Sequence, residues 1–231
     1  MIFPALYAGE TALSVNARHG GVGGHGLHLR SVLQENYCTL TPAGIGQLPA
    51  QMARSARKIV IPLIAADILG LSVQEIGWII SLSSFIDMML FPAAGRLMDQ
   101  YGRKYAIVPC FLIQGIGMAL VPFAGGYYSL LAATLLIGFG NGLGSGAMMT
   151  LGSDLAPQDS VGEYLGVWRL IGDRGQMTAP VAAGAIADLV GLAPAAMLMG
   201  GVGVAAAGVF LLFVPETLHR TRGESMAAPS M

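Results

Sequence analysis

Gly95-Arg96-Leu97-Met98-Asp99-Gln100-Tyr101-Gly102-Arg103-Lys104 separates two long apolar runs. Read in isolation, this charged, glycine-containing stretch is an ordinary polar loop. Its surroundings give it another meaning. Hydrophobic residues make up 54% of the chain and charged residues 11%, with a mean hydropathy of +0.65. A soluble domain carries about 25% charged residues. The 33 glycines point the same way, because glycine is more frequent in membrane helices than in soluble ones.

Crossing the hydrocarbon takes about 20 mostly apolar residues in a helix. Six segments qualify, at roughly 43–68, 73–94, 105–124, 128–150, 164–188 and 194–214. The third, fourth and sixth hold no Asp, Glu, Lys or Arg, whereas the first and fifth hold several. Lipid offers nothing to unpaired backbone groups, so helices are the expected solution, and the alternation of a membrane barrel is absent. The expected fold class is an all-α integral membrane protein with six transmembrane helices.

Loop charge predicts the orientation. Six spans put both termini on one side, together with Arg18, Arg30, Arg96, Arg103, Lys104, Arg220 and Arg222. The opposite loops, near Gly70, Gly125 and Gly191, contain no Lys or Arg. The positive-inside rule then makes both termini and the Gly95–Lys104 stretch cytoplasmic. Trp78 and Tyr127-Tyr128 are expected at the outer interface, with Tyr101, Tyr105, Tyr164 and Trp168 at the inner one.

Residues 1–42 read as a cytoplasmic linker, 43–217 as the six-span bundle and 218–231 as a cytoplasmic tail. The linker holds a G-x-G-x-x-G match at Gly21, Gly23 and Gly26, but lacks the strand and helix that a nucleotide fingerprint needs. His25 and His28 are spaced to touch a metal, although a flexible loop is the simpler reading. Neither cofactor nor metal is expected. A net charge of −1 gives no case for nucleic acid, and Cys38 and Cys110 fall in unrelated segments.

The pattern G-x-L-x-D-x-x-G-R-K, lying between two spans, resembles the signature loop of the major facilitator superfamily (MFS). Leu151 to Pro157, with Glu163 to Gly172, resembles the cytoplasmic connection that repeats that layout. Pro215-Glu216-Thr217 resembles the ending that follows the last helix of some members. The resemblance covers most of residues 43–217 and implies the C-terminal half of a drug-efflux-type transporter. It implies two inverted three-helix repeats, a small-molecule substrate, proton-coupled efflux through the plasma or inner membrane, and a second six-helix half, from the same or a separate chain. A sugar carrier, suggested by the Pro-Glu-Thr ending, and a truncated or non-transporting half-bundle stand as alternatives.

Gly95 and Gly102 are expected to form the tight helix-to-helix turn, with Arg103 and Lys104 anchoring the next helix. Asp99 is a candidate gate latch, pairing with Arg103 or engaging the fifth helix. A merely topogenic loop would explain the basic residues but not the glycines and aspartate at these spacings.

Charges inside spans are costly and usually face a bundle interior or a water-filled cavity. In the first span Gln47, Gln51, Arg54 and Lys58 fall at i, i+4, i+7 and i+11, a polar stripe with Arg57 beside it. The stripe is a candidate substrate path. A span that starts later would instead leave the basic trio at the interface, but Ile59 to Leu71 is too short to span alone. Asp87, alone in an apolar stretch, is a candidate coupling acid or an ion-pair partner of Arg54 or Arg57. In the fifth span Arg169 and Asp173 share a helix face and are placed to neutralise each other. Asn141 is a candidate substrate contact or a helix-to-helix hydrogen bond.

Gly138, Gly142 and Gly146 recur every four residues and predict one smooth face for close packing. The G-x-G-x-x-A match from Gly142 to Ala147 lies in a membrane span, the wrong context for a dinucleotide site. An enzyme reading finds no support. All four histidines lie outside the spans, and no H-E-x-x-H helix is present.

Overall fold

The structure, a computed structural model, describes residues 37–214 apart from Ser145. The expected linker, the tail and the Pro215-Glu216-Thr217 ending lie outside the described residues, save for the last few linker positions. The chain divides between Tyr37 and Cys38, and the helical bundle belongs to the second unit, Cys38–Met231.

Among the described residues the regular structure is helical throughout. Helix α1 spans Tyr37–Leu63 and runs into a π-helical turn, Ile64–Ile68. Helix α2 covers Val73–Met89 and α3 Phe91–Tyr101. Helix α4, Arg103–Leu120, ends in a 3₁₀ turn, Val121–Phe123. Then come α5, Tyr127–Leu143, α6, Ala147–Leu155, a 3₁₀ turn, Gln158–Ser160, α7, Val161–Val190, and α8, Leu192–Phe213.

Local chemistry sets these boundaries. A capping box starts α2: Ser72 Oγ accepts from the Glu75 amide at 3.3 Å, and Glu75 Oε2 accepts from the Ser72 amide at 2.8 Å. Pro92 has no N–H to give to the preceding turn, and α2 and α3 meet there at a bend of 40°. The expected ten-residue turn is far shorter. Gly95 lies inside α3, and the reversal falls on Gly102 alone, whose φ of 111° is open to glycine but strained for other residues.

Three runs are long and apolar enough to cross a membrane: Arg103–Phe123, Tyr127–Leu155 and Leu192–Phe213. The bent pair α2 and α3 makes a fourth if it is one span. With 27 and 30 residues, α1 and α7 have the length but also carry the charges noted in the sequence.

The apolar core gathers at one end of the bundle, around Val60, Ile64, Ile79, Met118, Val121, Leu130, Ile137 and Met199. That end carries the Gly70, Gly125 and Gly191 loops. Glycines set the spacing elsewhere. A Cβ on Gly115 of α4 would lie 2.7 Å from the Gly200 carbonyl of α8, and a Cβ on Gly200 would lie 2.7 Å from the Gly115 carbonyl. Such backbone contact gains dispersion energy that lipid cannot supply between bulkier surfaces.

The glycine-rich span departs from the expected single stripe. Gly138 and Gly142 face α2, while Gly140 and Gly144 face α4 at Ile113, Gln114 and Cys110. A Cβ on Gly146 would meet nothing within 4 Å, and its φ of 80° falls in the break between α5 and α6, so it serves the turn. The aromatic expectation also needs correction. Tyr101 and Tyr105 are exposed, but Tyr164 and Trp168 are buried. The Trp168 indole donates to the Met148 carbonyl at 3.0 Å and lies over Gly152, so it joins α7 to α6.

Gly200→Ala should lower bundle stability by about 1–3 kcal/mol, because the backbone opposite cannot yield as a side chain does. Gly201→Ala, with nothing within 4 Å of an added Cβ, should leave it unchanged. Thermal unfolding of the two variants in detergent checks this.

Candidate substrate path and loop network

Asp87 is the centre of the polar cluster inside the bundle. The approach of α5 to α2 positions it: a Cβ on Gly142 would lie 2.8 Å from the Asp87 carbonyl and 2.7 Å from Leu90 Cβ. With the helices this close, Asn141 Nδ2 donates to Asp87 Oδ2 at 2.6 Å. Arg57 of α1 reaches the same oxygen, with Nη2 at 3.6 Å. The Arg57 and Asp87 side chains are only 19% and 15% exposed, so the pair is largely withdrawn from solvent. Asp87 Oδ1 and Asn141 Oδ1 are buried without a hydrogen-bond partner. Buried polar atoms are nearly always satisfied, so the cluster holds unused acceptor capacity.

The polar stripe of α1 meets three different neighbours along its length. Gln47 is buried against Gly172 of α7, and Gln51 packs on Gly172 and Gly175. Arg54 turns to α4, where Nη2 donates to Cys110 Sγ at 3.7 Å and the guanidinium stacks over Phe111 at 5.3 Å. Gln114 Nε2 donates to the same sulfur at 3.0 Å. Arg57 and Lys58, further along α1, open onto a cavity of about 260 Å³ between α1, α2 and α5. Ser83, Ser84 and Thr134 supply hydroxyls to its wall, and Ile61, Pro62, Ile80 and Ile137 supply apolar surface.

A second network surrounds the turn at Gly102. Arg103 Nη1 donates to the Met98 carbonyl at 2.9 Å and pairs with Asp99 Oδ1 at 3.3 Å, while Nε donates to Asp154 Oδ2 at 2.9 Å. One guanidinium thus ties the end of α3, the start of α4 and α6 together. Lys104 Nζ donates to the Leu211 carbonyl of α8 at 2.8 Å. Asp99 is 77% exposed and Asp154 12%, so Asp154 makes the stronger, better shielded contact.

The expected link from Asp99 to the fifth span is not made in this conformation. Arg169 and Asp173 are exposed on α7, and among the described residues no ion pair joins them to each other or to Asp99. Their i, i+4 spacing permits a pair, but exposed side chains gain little from holding one geometry.

Both networks lie within the region that matches a family model described as Major Facilitator Superfamily, which covers residues 43–230. The chain belongs to the major facilitator superfamily. MFS membership places it with membrane transporters and not with enzymes. It is 28% identical over 181 residues to a multi-drug resistance efflux pump PmrA homolog of Lactococcus lactis, covering 75% of this chain and 44% of that protein. It is 31% identical over 114 residues to the bacillibactin exporter of Bacillus subtilis, covering 46% of this chain and 28% of the exporter. Among solved structures, a peptide transporter POT in complex with alafosfalin superposes with a TM-score of 0.66 at 17% identity. That superposition covers 81% of this chain and 44% of the transporter. The chain therefore spans less than half the length of these MFS proteins.

The sequence pattern singles out Arg103 and Asp99 in the signature stretch but not Asp154, the better buried partner. The one available signal is Asp154 itself, an acid inside the Leu151–Pro157 segment that resembles the repeated connection. Asp154→Asn should cost about 2–3 kcal/mol, since it takes the negative charge from a shielded charge-assisted hydrogen bond and leaves the Arg103 cation under-compensated. Asp99→Asn, acting at an exposed pair, should cost less than about 1 kcal/mol. The difference in melting temperature between the two purified variants tests that order.

Proposed function

We propose that this chain carries a small solute across the plasma membrane by alternating access, as one six-helix half of an MFS transporter. In this reading the six spans are α1, α2 with α3, α4, α5 with α6, α7 and α8. The reciprocal contact of Gly115 with Gly200 is what a two-fold relation between two three-helix repeats would produce at their third helices. A second six-helix half, from another copy or a separate chain, closes the path against α1, α2 and α5. Both termini and the Gly102 turn face the cytoplasm, in keeping with the loop charges.

Efflux is the direction supported by the likeness to the efflux pump PmrA homolog and to the bacillibactin exporter. The observation that carries the transport reading is the Asp87–Arg57–Asn141 cluster, a nearly buried ion pair with spare acceptors beside a cavity lined by Arg57, Lys58 and three hydroxyl-bearing residues among apolar ones. Intramembrane ionisable groups of this kind mark substrate and proton paths. A proton taken by Asp87 ends its attraction for Arg57 and frees α1 to move relative to α2. At the turn, Asp99 and Asp154 latch Arg103 in one conformation and release it in the other, as ion pairs remade between states do.

Flux into proteoliposomes tests the reading, using labelled cationic, anionic and neutral aromatic solutes with and without a pH gradient. The expected result is gradient-stimulated flux of at least one solute and a loss of that stimulation by about tenfold or more in Asp87→Asn. Wild-type vesicles that move none of the solutes, or an Asp87→Asn variant that responds to the gradient unchanged, would overturn it.

A further inference from the structure

Among the described residues, the charges lining the cavity between α1, α2 and α5 are all of one sign. They belong to Arg57 and Lys58, and no described carboxylate lines it. Asp87 is not among the described wall residues, and pairs with Arg57 at 3.6 Å through one oxygen. Lys58 has neither an ion pair nor a hydrogen bond among the described residues. Arg57 sits eleven residues before Ile68, about 16 Å along the helix, which is near the middle of a bilayer core. An unmatched ammonium at that depth is costly unless water or an anion reaches it.

Other donors converge on the same space. Ser83 gives its hydroxyl proton to the Thr134 carbonyl at 2.7 Å, but Ser84, on the same wall, has no partner among the described residues. Pro62 contributes to the wall and, lacking an N–H, leaves the Lys58 carbonyl without its usual helical donor. Ile61, Ile80 and Ile137 alternate with these polar groups along the same three helices. The arrangement sets two cations and the Ser84 hydroxyl among apolar side chains.

We propose that the cavity binds small organic anions, taking a carboxylate or phosphonate group at Arg57, Lys58 and Ser84 with its apolar body against Ile61, Ile80 and Ile137. A planar oxyanion accepts from a guanidinium through two parallel N–H bonds, and Arg57 has donors beyond the one turned to Asp87. The bound anion competes with Asp87 for Arg57. This specifies the substrate class of the transport site proposed above and rests on that cavity being the substrate path. A lipid phosphate presents the same chemistry to Lys58, and the experiment separates the two sources.

Equilibrium dialysis of the purified full chain in detergent, with labelled benzoate, benzamide and benzylammonium, tests the inference without requiring transport. Benzoate should bind at least about tenfold more tightly than either analogue, a factor equivalent to about 1.4 kcal/mol. Lys58→Gln should remove most of that preference, and Lys58→Arg should keep it. Lys58 is exposed and makes no contact that holds the fold, so this pair remains informative where Arg57→Gln, which strands Asp87, disturbs folding. Benzylammonium binding as tightly as benzoate, or Lys58→Gln leaving the preference intact, would overturn the proposal. Displacement of benzoate by phosphatidylglycerol but not by phosphatidylcholine would assign the site to a lipid headgroup and equally overturn it. Charge-selective binding without flux in vesicles would leave the anion site standing and reject only transport by this chain.

Discussion

The site depends on how closely α5 can approach α2. Gly142 permits that approach by presenting no Cβ to the Asp87 carbonyl and Leu90, and Gly138 does the same one turn earlier against Ser83. Two consequences come from a single contact. Asn141 comes within hydrogen-bonding distance of Asp87, and the carboxylate is then held where Arg57 of α1 can reach it. A side chain at Gly142 would push α5 outward, and the buried charges would lose the partners that make burial tolerable.

Polar and apolar functions are separated along the bundle. The core from Val60 to Met199 fills the end with the uncharged loops, whereas Gln47, Arg54, Asp99, Arg103 and Asp154 lie toward the other. The Asp87 cluster and its cavity sit between these regimes. In the proposed alternating-access cycle, the motion would pivot near this level, where packing gives way to ion pairs. An apolar core resists rearrangement because it is close-packed, while ion pairs can be exchanged for equivalent ones.

Much of the architecture is legible in the chain. Hydropathy locates the helical segments, and the G-x-L-x-D-x-x-G-R-K stretch points to the family that the match over residues 43–230 shows. Finer features are not legible, for identifiable reasons. The glycines of α5 serve two faces, and four-residue spacing cannot reveal that a second set, Gly140 and Gly144, packs on α4. The stripe on α1 is continuous in sequence but meets α7, α4 and the cavity in turn, because neighbouring helices cross it at different heights. Gly95 resembles a turn residue, yet the 40° bend falls earlier, at Leu90 just before Pro92, and leaves Gly95 within α3. Asp154 escapes notice in the sequence because its partner Arg103 lies 51 residues away, and only tertiary structure brings them together.

In the proposed transport path, water reaches the cavity between α1, α2 and α5 at mid-membrane depth. Thiol labelling in membranes measures it most directly, since a hydrophilic maleimide reacts only with a thiolate in water. In a Cys38→Ser background, with Cys110 buried, Ser84→Cys should be modified readily and protected by benzoate. Leu198→Cys, exposed on α8 away from the cavity, should stay unmodified. A Ser84→Cys thiol as unreactive as that at position 198 would mean that lipid fills the cavity, and would contradict the water-filled path.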